Sequence, residues 1–408
     1  MVEDAAISPL KGVKVIEVGV AMAGPFCGMT LGDYGADVIK IEKPGTGDES
    51  RGWQPYFPNR LSYYYVAANR NKRSLSIDLK AKEGAELFRE LVKGADVVID
   101  NYRVGALDGL GLGYDELSKI NPRLIYCSIS GFGPNGPKAQ ERANDLFMQA
   151  YSGNMSITGE FGRGPVKAGI SIADVGAGMF GVIGIMMALY ARITTGKGQR
   201  VDTSLLEGQV AMLSYHLTSY FASGRVPIRR GAGSQLSVPY QAFKAKDDWV
   251  IVAAFTERMW QGVCRAIRHP EWAEDERFCI ADRRAANRDI LIPMLEQAFA
   301  TETVEHWTRE LGKEGVPCTA VNSIDKVVVD EQVLAREMIV QIEHPDSGLL
   351  KMAGLPVKLS ETPGSVRRYP PNLGEHSVEI LKELGFAENR INELVDKGVL
   401  YVDKKQTA

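Results

Sequence analysis

Apolar and polar positions along this chain change period several times, and each change marks an element. Val13–Val18 (VKVIEV) is an apolar, β-branched run carrying one Glu, which predicts a strand. A Gly24-Pro25 turn follows, then a short helical stretch to about Tyr34 and a second strand at Asp37–Glu42 (DVIKIE). Over Lys82–Lys93, helical spacing puts Ala85, Leu87, Phe88, Leu91 and Val92 on one side. Asp96–Ile99 and Leu124–Ser128 read as further buried strands. Strands alternating with helices predict a parallel α/β sheet.

The middle of the chain is helical, with long apolar segments at Val175–Ile193 and Ser204–Ala222. Gly224–Gly233 (GRVPIRRGAG) breaks that pattern and reads as a linker; Arg229 and Arg230 within it could hold a carboxylate, and the solvated-linker reading is preferred. A smaller α/β unit follows. It has a strand at Trp249–Ala254, helical patterns around Glu257–Ile267, Arg284–Phe299 and Val304–Glu314, and a short strand at Pro317–Val321. Beyond Asp325–Met338 come a turn region at His344–Leu350, a proline-rich stretch at Thr362–Leu373, and helices beginning near Glu375 and Glu388.

Composition narrows the classes of function. A chain of 408 residues favours two domains. Lys plus Arg number 48 against 51 Asp plus Glu, which argues against nucleic-acid binding. Five scattered cysteines without a CxxC pair fit a reducing, cytoplasmic setting. The N-terminal MVEDAAISPLKG lacks the apolar core of a signal peptide. The uncharged run Val175–Ala191 is short for a bilayer and reads as a buried helix of a soluble protein, so no membrane partner is expected.

Several motifs carry candidate chemistry. The strand–turn–helix–strand of Val13–Glu42 has the shape of a mononucleotide-binding half, although its turn is Gly19-x4-Gly24-Pro25 and not GxGxxG. A literal GxGxxG occurs at Gly176, Gly178 and Gly181, after a short strand-like stretch at Gly169–Ala173. It reads either as a nicotinamide site or as small residues allowing close helix packing. Asp174 stands just before that helix, where it reads as an N-cap. The same place would keep its carboxylate ionised and suit a covalent nucleophile. Lys43, Lys80, Arg103 and Arg142 read singly as surface charges and together as a phosphate-binding set. The five histidines form neither HExxH nor HxH, so no metal is expected. Gly196-Lys197 lacks the first glycine of a P-loop, and no GxSxG is present.

Taken together, the segments Gly24-Pro25, GADVIKIEKPGTGD (Gly35–Asp48), NKRSLSIDLK (Asn71–Lys80), NYRVGALDGLGLGYDEL (Asn101–Leu117), INPRLIYCSISGFGPNGP (Ile120–Pro137), ISIADVGAGMFGVIGIMMALYARITTGKGQRVDTSLLE (Ile170–Glu207) and PNLGEHSVEIL (Pro371–Leu381) resemble the class III coenzyme A transferases over nearly the whole chain. This family includes formyl-CoA, carnitine and bile-acid CoA-transferases. The resemblance implies a large Rossmann-like CoA-binding domain built from both chain ends, residues 1–222 and 331–408. A smaller α/β domain, 223–330, is inserted between them. It also implies an obligate dimer of interlocked rings. Asp174 falls on the family's nucleophile. CoA contacts fall on Met22, Ala23, Lys43, Leu79, Lys80, Asn101, Tyr102, Arg103 and Arg142.

The activity so implied is CoA exchange between an acyl-CoA, with succinyl-CoA as the first expected donor, and an organic acid. It runs through an aspartyl anhydride and an aspartyl-CoA thioester, with CoA as substrate and no tightly bound cofactor. Amides near Gly176–Gly178 are the expected oxyanion donors. Three departures bear on this reading. Gly109 stands where relatives often carry a phosphate-binding Arg. Asn144 stands where transferases often have Tyr and α-methylacyl-CoA racemases His. GAGSQ (Gly231–Gln235) is the nearest approach to the glycine run of oxalate-using enzymes. The alternatives are a racemase of the same fold, a silent CoA-binding subunit in a heteromer, and the nicotinamide enzyme.

Overall fold

The computed structural model describes residues 8–234 and 237–403, so Gln235 of the GAGSQ stretch lies outside the described residues. The chain forms two compact units. One takes the residues up to 152, 169–214 and those from 331 onward; the other takes 153–168 and 215–330.

The first unit is built on a seven-stranded sheet. Its parallel strands are β1 (Lys14–Val18), β2 (Asp37–Glu42), β3 (Lys72–Ile77), β4 (Val97–Asp100), β5 (Ile125–Ser130) and β6 (Arg200–Ser204). They lie in the order 3-2-1-4-5-6, and a short antiparallel strand, Leu400–Tyr401, pairs with the outer edge of β3. This is a doubly wound order, in which the direction of winding reverses between β1 and β4 and leaves a crevice at the carboxyl ends of those strands.

Strand alternation sends Ile16 and Val18 into one core and Val15 into the other. The first core also holds Phe88 and Leu91 of the helix Lys82–Lys93 and Ile380 and Leu394 from the chain's last helices. The second holds Cys27 and Leu31 of α1 (Ala23–Asp33) and Ala177, Ile185 and Ala188 of a long helix, Ile172–Thr195.

That long helix corrects two expectations. It begins at Ile172, Gly169–Ala173 is not a strand, and the GxGxxG glycines sit inside the helix. A phosphate-binding glycine turn must precede its helix, so the geometry removes the nicotinamide reading. The glycines serve packing. A Cβ at Gly178 would lie 2.7 Å from the Ala23 carbonyl oxygen of α1. The helix is also longer than the sequence reading, and by length and composition alone it could cross a bilayer. Only its small-residue side is buried, while Ile183, Met187 and Tyr190 are exposed.

Polar residues also fill this unit. Glu17 of β1 pairs with Lys40 of β2 at 2.9 Å and with Lys72 of β3 at 2.6 Å, all three side chains being fully buried. Lys40 reaches Asp48 at 2.9 Å and donates to the Gly19 carbonyl at 2.8 Å. Lys72 is satisfied further by the Pro25 and Ala68 carbonyls and by Asn69 Oδ1.

The second unit holds a three-stranded antiparallel sheet of Tyr240–Lys244, Trp249–Ala253 and Cys318–Ala320, around a core that includes Trp260, Phe243 and Phe299. The sequence predicts 223 as its first residue; the structure adds 153–168 and 215–222. The helix Leu205–Ser223 breaks its helical geometry at Ser214, where the backbone turns to φ 33° and ψ −107°. Residues 153–168 belong to this unit, and Gly231 donates its N–H to the Gly159 carbonyl there at 2.8 Å.

Candidate active site

The crevice at the carboxyl ends of β1 and β4 opens into a cavity of about 460 Å³. Its wall includes Met22 and Ala23 at the start of α1, Asn101 after β4, Ser130 and Gly131 after β5, and Asp174. Asn101 fixes the turn after β1 from both sides. Its Oδ1 accepts from the Val20 N–H at 2.9 Å, and its Nδ2 donates to the Val20 carbonyl at 3.0 Å. Ala21 takes a left-handed φ of 62° there, and its N–H donates to Asp48 Oδ1 at 3.1 Å. The buried ion network therefore reaches the cavity wall directly. Met22 caps α1 with no side-chain acceptor. The amides of Ala23 and Gly24 have no hydrogen-bond partner among the described residues, which suits an anionic ligand.

Asp174 is not the N-cap of the long helix. Ser171 holds that position without a side-chain capping bond, and Asp174 is the third residue inside. The capping carboxylate comes from another helix, Asp145–Tyr151. Asp145 Oδ1 accepts from the Ala173 N–H at 2.8 Å, and Asp145 Oδ2 accepts from Gln149 at 2.7 Å. The Asp174 carboxylate has no hydrogen-bond partner among the described residues. Burial, and then the neighbouring Asp145 charge, push it up to about 7. This reverses the expectation that the helix N-terminus keeps it ionised: loss of water and a like charge outweigh the helix dipole. Tyr64, bonded to Ser171, lines the same cavity and is also raised by burial.

A second, smaller cavity of about 230 Å³ shares Asn101, Ser130, Gly131 and Ala143 with the first. Tyr102, Arg103 and Arg142 line it, with both arginines exposed. The predicted residues thus divide. Met22, Ala23, Asn101 and Asp174 share one cavity, and Asn101, Tyr102, Arg103 and Arg142 share its neighbour. Lys43, Leu79 and Lys80 line neither, although each follows the carboxyl end of β2 or β3 at the same edge of the sheet.

The expected oxyanion donors near Gly176–Gly178 are corrected as well. The N–H of Val175 already donates to the Ser171 carbonyl, so the amides beyond it belong to the helix ladder. Asn144 accepts from the Phe147 N–H at 2.9 Å as the cap of its own helix. An amide there supplies no base, and a two-base racemase lacks its second group at that position. Sequence reasoning missed Asp145, Tyr64, Trp53 and Glu49, which all line the larger cavity. Asp145 lies 28 residues before the amide it caps, and no local pattern marks such a pair.

Residues 10–377 match the family described as CoA-transferase family III. The chain is 38% identical over 402 residues to the succinyl-CoA:glutarate CoA-transferase of Homo sapiens, covering 98% of this chain and 91% of that protein. It is 39% identical over 386 residues to the succinate–glutarate CoA-transferase of Agrobacterium fabrum, covering 92% and 96%. The crystal structure of a CAIB/BAIF family protein from Brucella suis superposes with a TM-score of 0.84 at 38% identity, covering 93% of this chain and 100% of that one.

Proposed function

The chain belongs to CoA-transferase family III and is a CoA-transferase; from that premise we propose that it moves coenzyme A from an acyl-CoA, with succinyl-CoA as first donor, to an organic acid through covalent intermediates on Asp174. The observation that carries this reading is the Asp174 carboxylate itself. It faces a cavity at the sheet's switch point, lacks a hydrogen-bond partner among the described residues, and is made more basic by burial and by Asp145. A raised pKa makes the ionised form a better nucleophile.

The exchange is balanced without ATP. The Asp174 carboxylate attacks the thioester carbonyl, the C–S bond breaks, and CoA leaves as thiolate, giving a mixed anhydride. The thiolate attacks the aspartyl carbonyl and releases the donor acid, leaving an aspartyl-CoA thioester. The acceptor carboxylate attacks that thioester, expelling CoA thiolate and forming an acceptor–aspartyl anhydride; the thiolate then attacks the acceptor's acyl carbonyl, giving the new acyl-CoA and releasing the Asp174 carboxylate. Each addition places charge on a carbonyl oxygen, and the unpartnered amide of Ala23, which lines this cavity, is the donor we assign to meet it. Arg103 and Arg142 would take CoA phosphates in the adjoining cavity, with Lys43 and Lys80 along the same edge.

Mass spectrometry of the protein mixed with succinyl-CoA and quenched with hydroxylamine or borohydride is expected to place the modification on Asp174. An unmodified Asp174 across a panel of acyl-CoAs would remove the mechanism. The rate should also follow the ionised fraction, rising through about pH 7 and levelling above it. Asp145→Asn keeps an acceptor for Ala173 but removes the charge, so the acid limb of kcat/KM should move to lower pH; an unmoved limb would dissociate Asp145 from Asp174.

We further propose a Rossmann-like large domain in a dimer of interlocked chains, in a reducing, cytoplasmic setting. The exposed row Ile183, Met187 and Tyr190 supports the dimer, because an apolar helix face of this kind marks an interaction surface. Light scattering at the single-chain mass would refute it. The free thiols Cys27 and Cys127, buried side by side, support the reducing setting.

A further inference from the structure

Arg229 and Arg230 are not the solvated pair that a linker would carry. Both are only partly exposed, and the Nε of each is buried without a hydrogen-bond partner. Neither guanidinium makes an ion pair or hydrogen bond among the described residues. Glu160, whose carboxylate lies against Gly231, pairs with neither. A cation withdrawn from water in this way is costly until an anion meets it.

Of the two, Arg230 lines a cavity of about 720 Å³, and every residue of that cavity's wall belongs to the second unit. Tyr215, Ile228, Tyr240 and Phe255 line it too, and all four remain exposed. The Tyr240 and Phe255 rings lie 5.0 Å apart. Uncovered apolar side chains gathered around one polar anchor are the usual make-up of a small-molecule site. The turn after Arg230 leaves room for a ligand, because Gly231, Ala232 and Gly233 offer nothing larger than a methyl group. Arg288 adds positive charge nearby: burial, and then the Arg230 charge, depress its guanidinium below the ordinary range. Arg288 is itself satisfied, donating to the Ser234 carbonyl at 2.5 Å, so Arg230 is the cation left over.

We propose that this cavity binds a carboxylic acid with an apolar body, its carboxylate on Arg230 and its hydrocarbon or aromatic part against Tyr240 and Phe255. The site is complete within the second unit and does not rest on the covalent route through Asp174. The planar guanidinium fork matches a carboxylate. One cation in the wall balances a single negative charge and not the charge of about −1.5 to −2 on a phosphate group. The apolar wall would gain nothing from a bare inorganic anion.

Calorimetric titration of the full-length protein with 3-phenylpropanoate, its neutral amide and inorganic phosphate tests this. The acid is expected to bind wild type at least about tenfold more tightly than either of the others. In Arg230→Met its affinity should fall at least about tenfold, and the preference over the amide should vanish. Phe255→Ala should weaken acid and amide alike. Equal affinity of wild type and Arg230→Met for the acid would place it elsewhere and overturn the proposal. A wild type that binds neither 3-phenylpropanoate nor octanoate would overturn it as well. Phosphate binding as tight as the acid, or an acid affinity unmoved by Phe255→Ala, would remove the apolar-bodied ligand. Thermal melting without ligand separates a structural role. Arg230→Met deletes an unpaired charge beside Arg288, so it should melt no lower than wild type. A lower melting temperature, with acid and amide binding lost in parallel, would make Arg230 a structural residue and overturn the site.

Discussion

Asp174→Asn is expected to lose CoA transfer by about 10⁴-fold or more and yet to be more stable than wild type above neutral pH. The first effect follows from removing the nucleophile of every covalent step proposed above. The second follows from its environment. The Asp174 pKa is about 7 in the folded protein, against an ordinary value of 3.8. Between these values the folded state holds a proton that the unfolded state has released. Stability therefore falls as pH rises from about 4 to about 7, and the cost is complete above that range. Asparagine removes this titration. The gain should be about 2 kcal/mol at pH 8, discounted for partial solvent access, and should vanish below pH 4. Thermal melts at both pH values, with CoA binding measured on the same preparation, check the prediction. Turnover within tenfold of wild type would refute the catalytic assignment; an equal stability difference at both pH values would refute the electrostatic one.

Glu17→Ala is the change expected to cost most in stability. Glu17 lies between Lys40 and Lys72, with all three side chains buried. Burial, only partly opposed by the Glu17 charge, already pushes Lys72 down to about 8. Without Glu17, two ammonium groups would face each other in a space closed to water. Removing one partner of such a cluster costs about 3–5 kcal/mol. The loss should reach the active site, because Lys40 also holds the Gly19 carbonyl and Asp48, and Asp48 holds the Ala21 amide. Denaturant unfolding should show the stability loss, and the KM for acyl-CoA should rise with it. A folded variant of wild-type stability would show that the network is dispensable. A stability loss with unchanged KM would confine its role to the core.

The same network explains what was hard to read in the sequence. β1, β2, β4 and β5 follow apolar runs and were legible. β3 was not, because KRSLSI offers only Leu75 and Ile77 as apolar residues. It is nevertheless buried along its whole length. Lys72 is neutralised by Glu17, and Arg73 by Asp37, Glu379 and Glu383. Burial bought by ion pairs leaves no hydrophobic period. Asp174 was singled out as a candidate by resemblance and by its place at the start of an apolar helix. Its raised pKa was not legible, because the cause is Asp145 together with a cavity assembled from distant strand ends.

The outer edge of β3 has a consequence for how the protein is made. Its finishing contacts come from far along the chain: the Ser76 N–H meets Ser377 Oγ 301 residues away, and Leu400 pairs with Ile77. At ribosomal speeds of about 5–20 residues per second, that edge stays uncovered for roughly 15–60 s after its own synthesis. Throughout this interval the nascent chain presents an open β-edge on which Arg73 lacks its acidic partners Glu379 and Glu383, which do not yet exist. The charge of Arg73, which helps to hide the strand from sequence analysis, would also discourage neighbouring nascent chains from pairing with it.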